Sequence, residues 1–171
     1  MPNRINVQDR DSDHIAHIPL QAQRAGYQHL LALAAGLEPV VTAVVHPCDK
    51  ESLTATIEAA NAGLIVPLFV APEKKLRALA ITLGIDLSPY ELITAAHSHE
   101  AAAKAVTLIR EGAAEVLMKG SLHTDELMTE VVARETGLRT GRRMSHVFIL
   151  DVPNYPRPLF LTDAAININQ H

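Results

Sequence analysis

From residue 40 onward, short β-branched and apolar runs alternate with longer stretches in which apolar residues recur every three or four positions. The run Val40, Val41, Thr42, Ala43, Val44, Val45 predicts a strand buried on both faces. Asp49 or Ser52 then suits the cap of a helix that places Leu53, Ile57 and Ala60 on one face and stops at Gly63. Residues 64–70 predict a second strand, with Pro67 tolerable only where that strand is irregular or near an edge. Pro72 opens a helix with Leu76, Leu79, Ala80 and Leu83 inward and Gly84 as its stop. A shorter strand over 90–93 leads to Ser98 as the expected cap of an Ala-rich helix reaching Arg110, and residues 115–118 predict the next strand. Upstream, residues 21–35 read as a helix, with Tyr27, Leu30, Leu31 and Ala34 on one face.

Strands separated by helices of this length imply right-handed crossovers and a largely parallel sheet, so the fold class is α/β. After residue 135 the rhythm changes. A polar loop over 137–143 precedes two strand-like stretches, 144–152 and 159–162, joined through Pro153, Pro156 and Pro158 and expected to pair as a hairpin. The chain therefore divides into a polar tail or linker (1–20), a first α/β domain (21–142) and the start of an incomplete second domain (143–171).

Composition narrows the setting. At 48% hydrophobic and 20% charged residues, the chain carries enough apolar surface to offset its entropy, which argues against disorder. A formal net charge of −4 argues against a nucleic-acid partner, although Arg134, Arg139, Arg142 and Arg143 concentrate positive charge locally. A single cysteine, Cys48, excludes an internal disulfide and fits a reducing compartment. No apolar run reaches membrane-spanning length and no signal-peptide core is present, so a cytoplasmic protein without a membrane partner is expected.

The best candidate for chemistry is the segment Lys119, Gly120, Ser121, Leu122, His123, Thr124, which leaves a strand and turns into a helix. Ligands of open parallel sheets bind at the carboxyl ends of strands, and a helix N-terminus favours an anion. Lys119 supplies charge, and Ser121, His123 and Thr124 supply hydrogen bonds suited to phosphate oxygens. The same residues also suit a solvated lysine and ordinary caps. A Ser145–His146 pair cannot act as a dyad, because neighbours on a strand face opposite ways. Asp163 and Asn167, at the end of the last strand, suit either a cleft or a plain turn. No P-loop, dinucleotide glycine pattern or nucleophile elbow is present, the histidines show no metal spacing, and Cys48 reads as a packed small residue.

Four stretches together resemble the phosphate acetyl/butyryl transferase (phosphotransacetylase) family: Val44 to Asp49 (VVHPCD), Lys119 to Met128 (KGSLHTDELM), Arg139 to Pro153 (RTGRRMSHVFILDVP) and Pro156 to Asn169 (PRPLFLTDAAININ). The likeness is nearest to forms that stand alone or are fused to an enoyl-CoA hydratase-type domain, and it covers residues 25–169. It implies a three-layer α/β/α fold similar to isocitrate and isopropylmalate dehydrogenases, here truncated, with the active site between two domains. It implies conversion of acetyl-CoA and phosphate to acetyl phosphate and CoA. No metal or redox cofactor is expected, CoA being a substrate, and a homodimer is expected in the full-length form. Lys119, Gly120, Ser121, His123 and Thr124 would line one side of the cleft and Ser145, Asp163 and Asn167 the other.

Family members run to about twice this length, and their catalytic groups are expected in the half absent here, so none is assigned. Phosphate butyryltransferase activity and a non-catalytic acyl-CoA-binding or assembly module are the alternatives, and a dehydrogenase of similar fold is a further rival. On this reading, Ser121→Ala in a complete homologue would cut turnover and leave the melting temperature nearly unchanged.

Overall fold

The computed structural model describes residues 25–142, 144–152, 155 and 157–162. Two compact units are present, one comprising residues 32–144 and the other residues 25–31 together with the described residues from 145 onward.

In the larger unit, β1 (Val40–Val45), β2 (Ile65–Ala71), β3 (Glu91–Thr94) and β4 (Val116–Lys119) form one parallel sheet in the order β3-β2-β1-β4. The connecting helices are α2 (Lys50–Asn61), α3 (Glu73–Leu83) and α4 (Ser98–Arg110), and α5 (Thr124–Val131) follows β4. Strand β1 is β-branched almost throughout because both its faces are covered. Val44 joins Phe69, Ala71, Leu53 of α2 and Leu76 of α3 on one face. Ala43 and Val45 join Val70, three alanines of α4 and Leu127 of α5 on the other. This alternation of period two within β1 and β2 sorts the helices into two outer layers around the sheet, the α/β class expected.

Pro67 is accommodated as anticipated. It pairs only with Thr42 of β1, since β3 joins β2 from Leu68 onward, and the side that lacks an N–H has no neighbour at that level. Gly84 ends α3 with φ 66°, the left-handed conformation that costs glycine nothing. One cap differs from expectation. His97, not Ser98, caps α4, its Nδ1 accepting the Glu100 N–H at 3.3 Å, while Ser98 opens the helix.

In the smaller unit, β5 (Val147–Leu150) and β6 (Leu159–Thr162) pair antiparallel as the expected hairpin. Strand β5 is shorter than the 144–152 stretch, being confined to the residues that find a partner in β6. All eight strand residues are exposed, and apolar side chains occupy both faces. Beside it, α1 (Ala25–Ala34) begins against Asp151, whose Oδ2 accepts the Tyr27 N–H at 3.0 Å. A carboxylate near a helix N-terminus is favoured by the helix dipole. No helix among the described residues is long and apolar enough to cross a membrane.

Phe69 is fully buried and meets Tyr90 edge to face at 5.7 Å between ring centroids. Phe69→Ala is expected to destabilise the protein by about 3–5 kcal/mol. Ile81→Ala, at an 81% exposed position, should change stability by less than about 0.5 kcal/mol. Urea unfolding of both variants checks the contrast.

Candidate functional site

The strand order defines where a ligand belongs. The chain steps outward from β1 to β2 and β3, then crosses back to place β4 on the other side of β1. The carboxyl ends of β1 and β4 therefore flank a topological switch point, the crevice that open α/β sheets use for ligands. Two of the family-like stretches meet there: His46, Pro47, Cys48 and Asp49 after β1, and Gly120, Ser121, Leu122 and His123 after β4.

The junction is tight. Gly120 N donates to Val45 O at 2.9 Å and Ser121 N to His46 O at 2.9 Å. A Cβ on Gly120 would fall 2.5 Å from Val45 O and 2.6 Å from His46 O, so only glycine lets the backbones approach this closely. Ser121 Oγ donates to His46 O at 2.9 Å, accepts the Cys48 N–H at 3.0 Å and lies 3.3 Å from His46 Nδ1. Its hydroxyl thus stitches the two loops together. Lys119 turns back on its own turn, its Nζ donating to Leu122 O at 2.7 Å and Gly120 O at 3.3 Å, which leaves one of three donors for a ligand.

The turn offers fewer free amides than a bare helix N-terminus. Those of Gly120 and Ser121 are spent on β1, and the His123 N–H goes to Glu126 Oε2 at 3.2 Å. The amides of Thr124 and Asp125, in the first turn of α5, have no partner within the helix by geometry and remain the natural anion donors. Glu126 also receives Ser98 Oγ at 3.3 Å and His99 Nε2 at 3.1 Å, tying the start of α4 to the start of α5. The His97 and His99 rings stand edge to face, 6.1 Å between centroids.

On the β1 side, Asp49 caps α2, accepting Ser52 N at 2.7 Å and Ser52 Oγ at 2.6 Å, and these bonds hold its carboxyl below the usual range. Burial raises the pKa of the Cys48 thiol, the nearby Lys75 ammonium opposing it. His46 is buried, with burial first and Lys75 second holding its imidazole below the ordinary 6.5.

A cavity of about 630 Å³ opens beyond the C-terminal end of α5, between Val131, Val132, Leu138 and Met144, with Arg139 and Arg142 on its wall. Two guanidinium groups against apolar side chains suit a ligand that is part phosphate and part hydrocarbon.

The structure brings Lys119, Gly120, Ser121, His123 and Thr124 into one turn beside His46 and Cys48. Ser145 is exposed and lies in the smaller unit, while Asp163 and Asn167 lie outside the described residues. The sequence reading gave His46 no role. Its single available signal was the position of a His-Pro pair at the end of a buried strand.

Fold and site together define a parallel α/β protein with an anion-suited turn at its switch point. Over most of its length the chain is homologous to the phosphate acetyltransferases and, more distantly, to the phosphate butyryltransferases. It is 59% identical over 147 residues to a phosphate acetyltransferase of Rhizobium meliloti, covering 86% of this chain and 46% of that protein. It is 38% identical over 119 residues to a phosphate butyryltransferase of Clostridium beijerinckii, covering 70% of this chain and 39% of that protein. The chain thus spans less than half the length of the curated relatives it matches. A phosphotransacetylase structure from Streptococcus pyogenes superposes with a TM-score of 0.69 at 17% identity, covering 86% of this chain and 53% of that one, which shows a shared fold. No family model matches the chain.

Two outcomes follow from this geometry. Because the Ser121 hydroxyl joins β1 to β4, Ser121→Ala should cost about 1–2 kcal/mol of stability, and the melting temperature should fall rather than hold. Thermal unfolding by circular dichroism measures it. The low pKa of His46 means that, as pH falls below 6.5, the unfolded chain takes up a proton the folded one refuses. Its contribution is present above pH 6.5 and is lost as pH falls towards the folded pKa. His46→Asn, which tolerates the same backbone, should therefore flatten the fall in urea midpoint between pH 7.5 and pH 5.5.

Proposed function

We propose that the protein is a phosphate acetyltransferase component, moving an acetyl group between CoA and inorganic phosphate to exchange acetyl-CoA for acetyl phosphate. The observation that carries this reading is the meeting of the two family-like stretches at the β1/β4 switch point, in a chain 59% identical to a phosphate acetyltransferase. Acetyl is favoured over butyryl because four relatives named acetyltransferases are 51–59% identical, a fifth being 28% identical, against 34–38% for the matched butyryltransferases. The same reading expects a cytoplasmic homodimer in the full-length form.

The chemistry asks for little beyond placement and charge. Attack on the thioester carbonyl builds negative charge on its oxygen, which preorganised donors stabilise. The remaining Lys119 donor and the first-turn amides of α5 supply such donors for phosphate or the acyl oxygen. Arg139 and Arg142 supply charge for a phosphate of CoA, with the apolar wall of their cavity against its hydrocarbon arm. Holding both substrates in one complex lets them react without a covalent enzyme intermediate.

One fact favours a second reading. The cavity lined by Arg139 and Arg142 suits CoA whether or not turnover follows, as in a non-catalytic acyl-CoA-binding module. Phosphate-dependent release of CoA, followed with a thiol reagent, separates the two. In the full-length form, turnover is expected with acetyl-CoA and should be about tenfold or more slower with butyryl-CoA. Binding of CoA by calorimetry without turnover would establish the module instead, and neither binding nor turnover would overturn both.

A further inference from the structure

We infer that His46 is a substrate-binding residue whose Nε2 accepts a hydrogen bond from the acidic hydrogen of the substrate, either the S–H of CoA or the O–H of phosphate. The inference rests on the function proposed above and adds to it a group that the matched stretches do not single out.

Three observations converge on His46. Its backbone has φ 52°, and it is the single non-glycine residue with positive φ among the described residues. That conformation is strained for an L-residue, and the following Pro47 restricts the same backbone further. Such strain persists only where the surroundings over-determine it, and it clusters at functional sites. Here the surroundings do so: His46 N donates to Val70 O at 2.8 Å, and His46 O accepts Cys48 N, Ser121 N and Ser121 Oγ.

The second observation is the state of the ring. Ser121 Oγ has one hydrogen and two lone pairs. The hydrogen goes to His46 O at 2.9 Å, and one lone pair takes the Cys48 N–H at 3.0 Å. With the hydroxyl hydrogen so placed, the second lone pair faces Nδ1 at 3.3 Å, and on this inference the ring hydrogen is assigned to Nδ1. Nε2 is then left as the acceptor, the usual consequence of fixing one ring nitrogen through the other.

The third is access. Nε2 has no hydrogen bond among the described residues, yet the buried side-chain nitrogen without a partner there is His146 Nδ1, not this one. His46 as a residue is 8% exposed. His46 stands just past the carboxyl end of β1, beside the crevice proposed above for the substrates. The charged groups that act on the ring are Lys75 of α3 and Glu126 of α5, with Asp49 coupled to it from the start of α2. A lone pair in this position repels a bare oxyanion and attracts an acidic hydrogen. It therefore selects the protonated form of whichever nucleophile enters.

Nitrogen-15 NMR of the histidine side chains in the intact chain tests the inference directly. At pH 7.5 His46 should show a protonated Nδ1 and an unprotonated Nε2. Titration with inorganic phosphate and, separately, with CoA should move the Nε2 resonance saturably in at least one arm. Movement with phosphate assigns the O–H. Movement with CoA that disappears with a CoA analogue lacking the thiol assigns the S–H. His46→Asn should weaken binding of the assigned ligand by about threefold to tenfold, the loss of one hydrogen bond. A hydrogen on Nε2, or Gly120 and Ser121 amides that respond to ligand while Nε2 stays still, would overturn the role of His46 and leave the proposed function standing. If no resonance of the turn responds to either ligand, the proposed function fails together with the inference.

Discussion

The closeness of β1 and β4 at their carboxyl ends is the constraint from which the site follows. Two backbones pass so near that Gly120 has no room for a Cβ, and one hydroxyl, that of Ser121, serves both loops. The contact joins residues about 75 positions apart, so its entropic cost is met by the hydrophobic layers on either side of the sheet rather than by anything local. Once it is made, the loop after β1 and the loop after β4 cannot shift independently. Their helices, α2 and α5, then depart to opposite faces of the sheet, with Leu53 in one apolar layer and Leu127 in the other. The crevice between them is a consequence of topology, held open by that divergence and held to shape by the glycine–serine junction.

Much of this was legible along the chain because it rests on local periodicity. The β-branched run of β1, the stops at Gly63 and Gly84, and the hairpin after residue 144 each follow from residues close in sequence. Even Pro67 could be reconciled with a strand before its neighbours were known, given one side without a partner. What was not legible depends on contacts far apart. The direction of Lys119, folded onto Leu122 O rather than outward, is set by the path of its own turn. The inward role of Ser121 depends on His46 and Cys48, and nothing near Ser121 in sequence announces them. The cap of α4 went to His97 because an imidazole nitrogen reached the Glu100 amide, a role usually filled by serine or aspartate. Left-handed backbone at a histidine has no sequence signature at all.

The hairpin shows the same division from the other side. Its pairing was foreseen from two apolar runs and a proline-rich connection, and the register Phe148 to Leu161 and Ile149 to Phe160 follows from that pairing. Its exposure was not a matter of pairing. Strands with apolar residues on both faces resemble those of a sheet covered on both sides, and here those faces carry no cover among the described residues.

Electrostatics at the crevice then decide what kind of ligand it accepts. A helix N-terminus is worth most to an anion when its amides are free, yet Glu126 already takes the His123 N–H and Asp49 already takes that of Ser52. Both helices that border the site are therefore partly neutralised by their own carboxylates. On the proposed function, an incoming phosphate would rely on the first-turn amides of α5, the last Lys119 donor and charge from further off, as Arg139 and Arg142 would provide at the other end of α5. A site so balanced would bind an anion without holding it too strongly to release, and the acceptor role proposed for His46 fits that balance. The buried imidazole and the internal carboxylates thus serve a single end. They keep the local field modest, which on the proposed function would leave selection to the placement of donors and acceptors rather than to net charge.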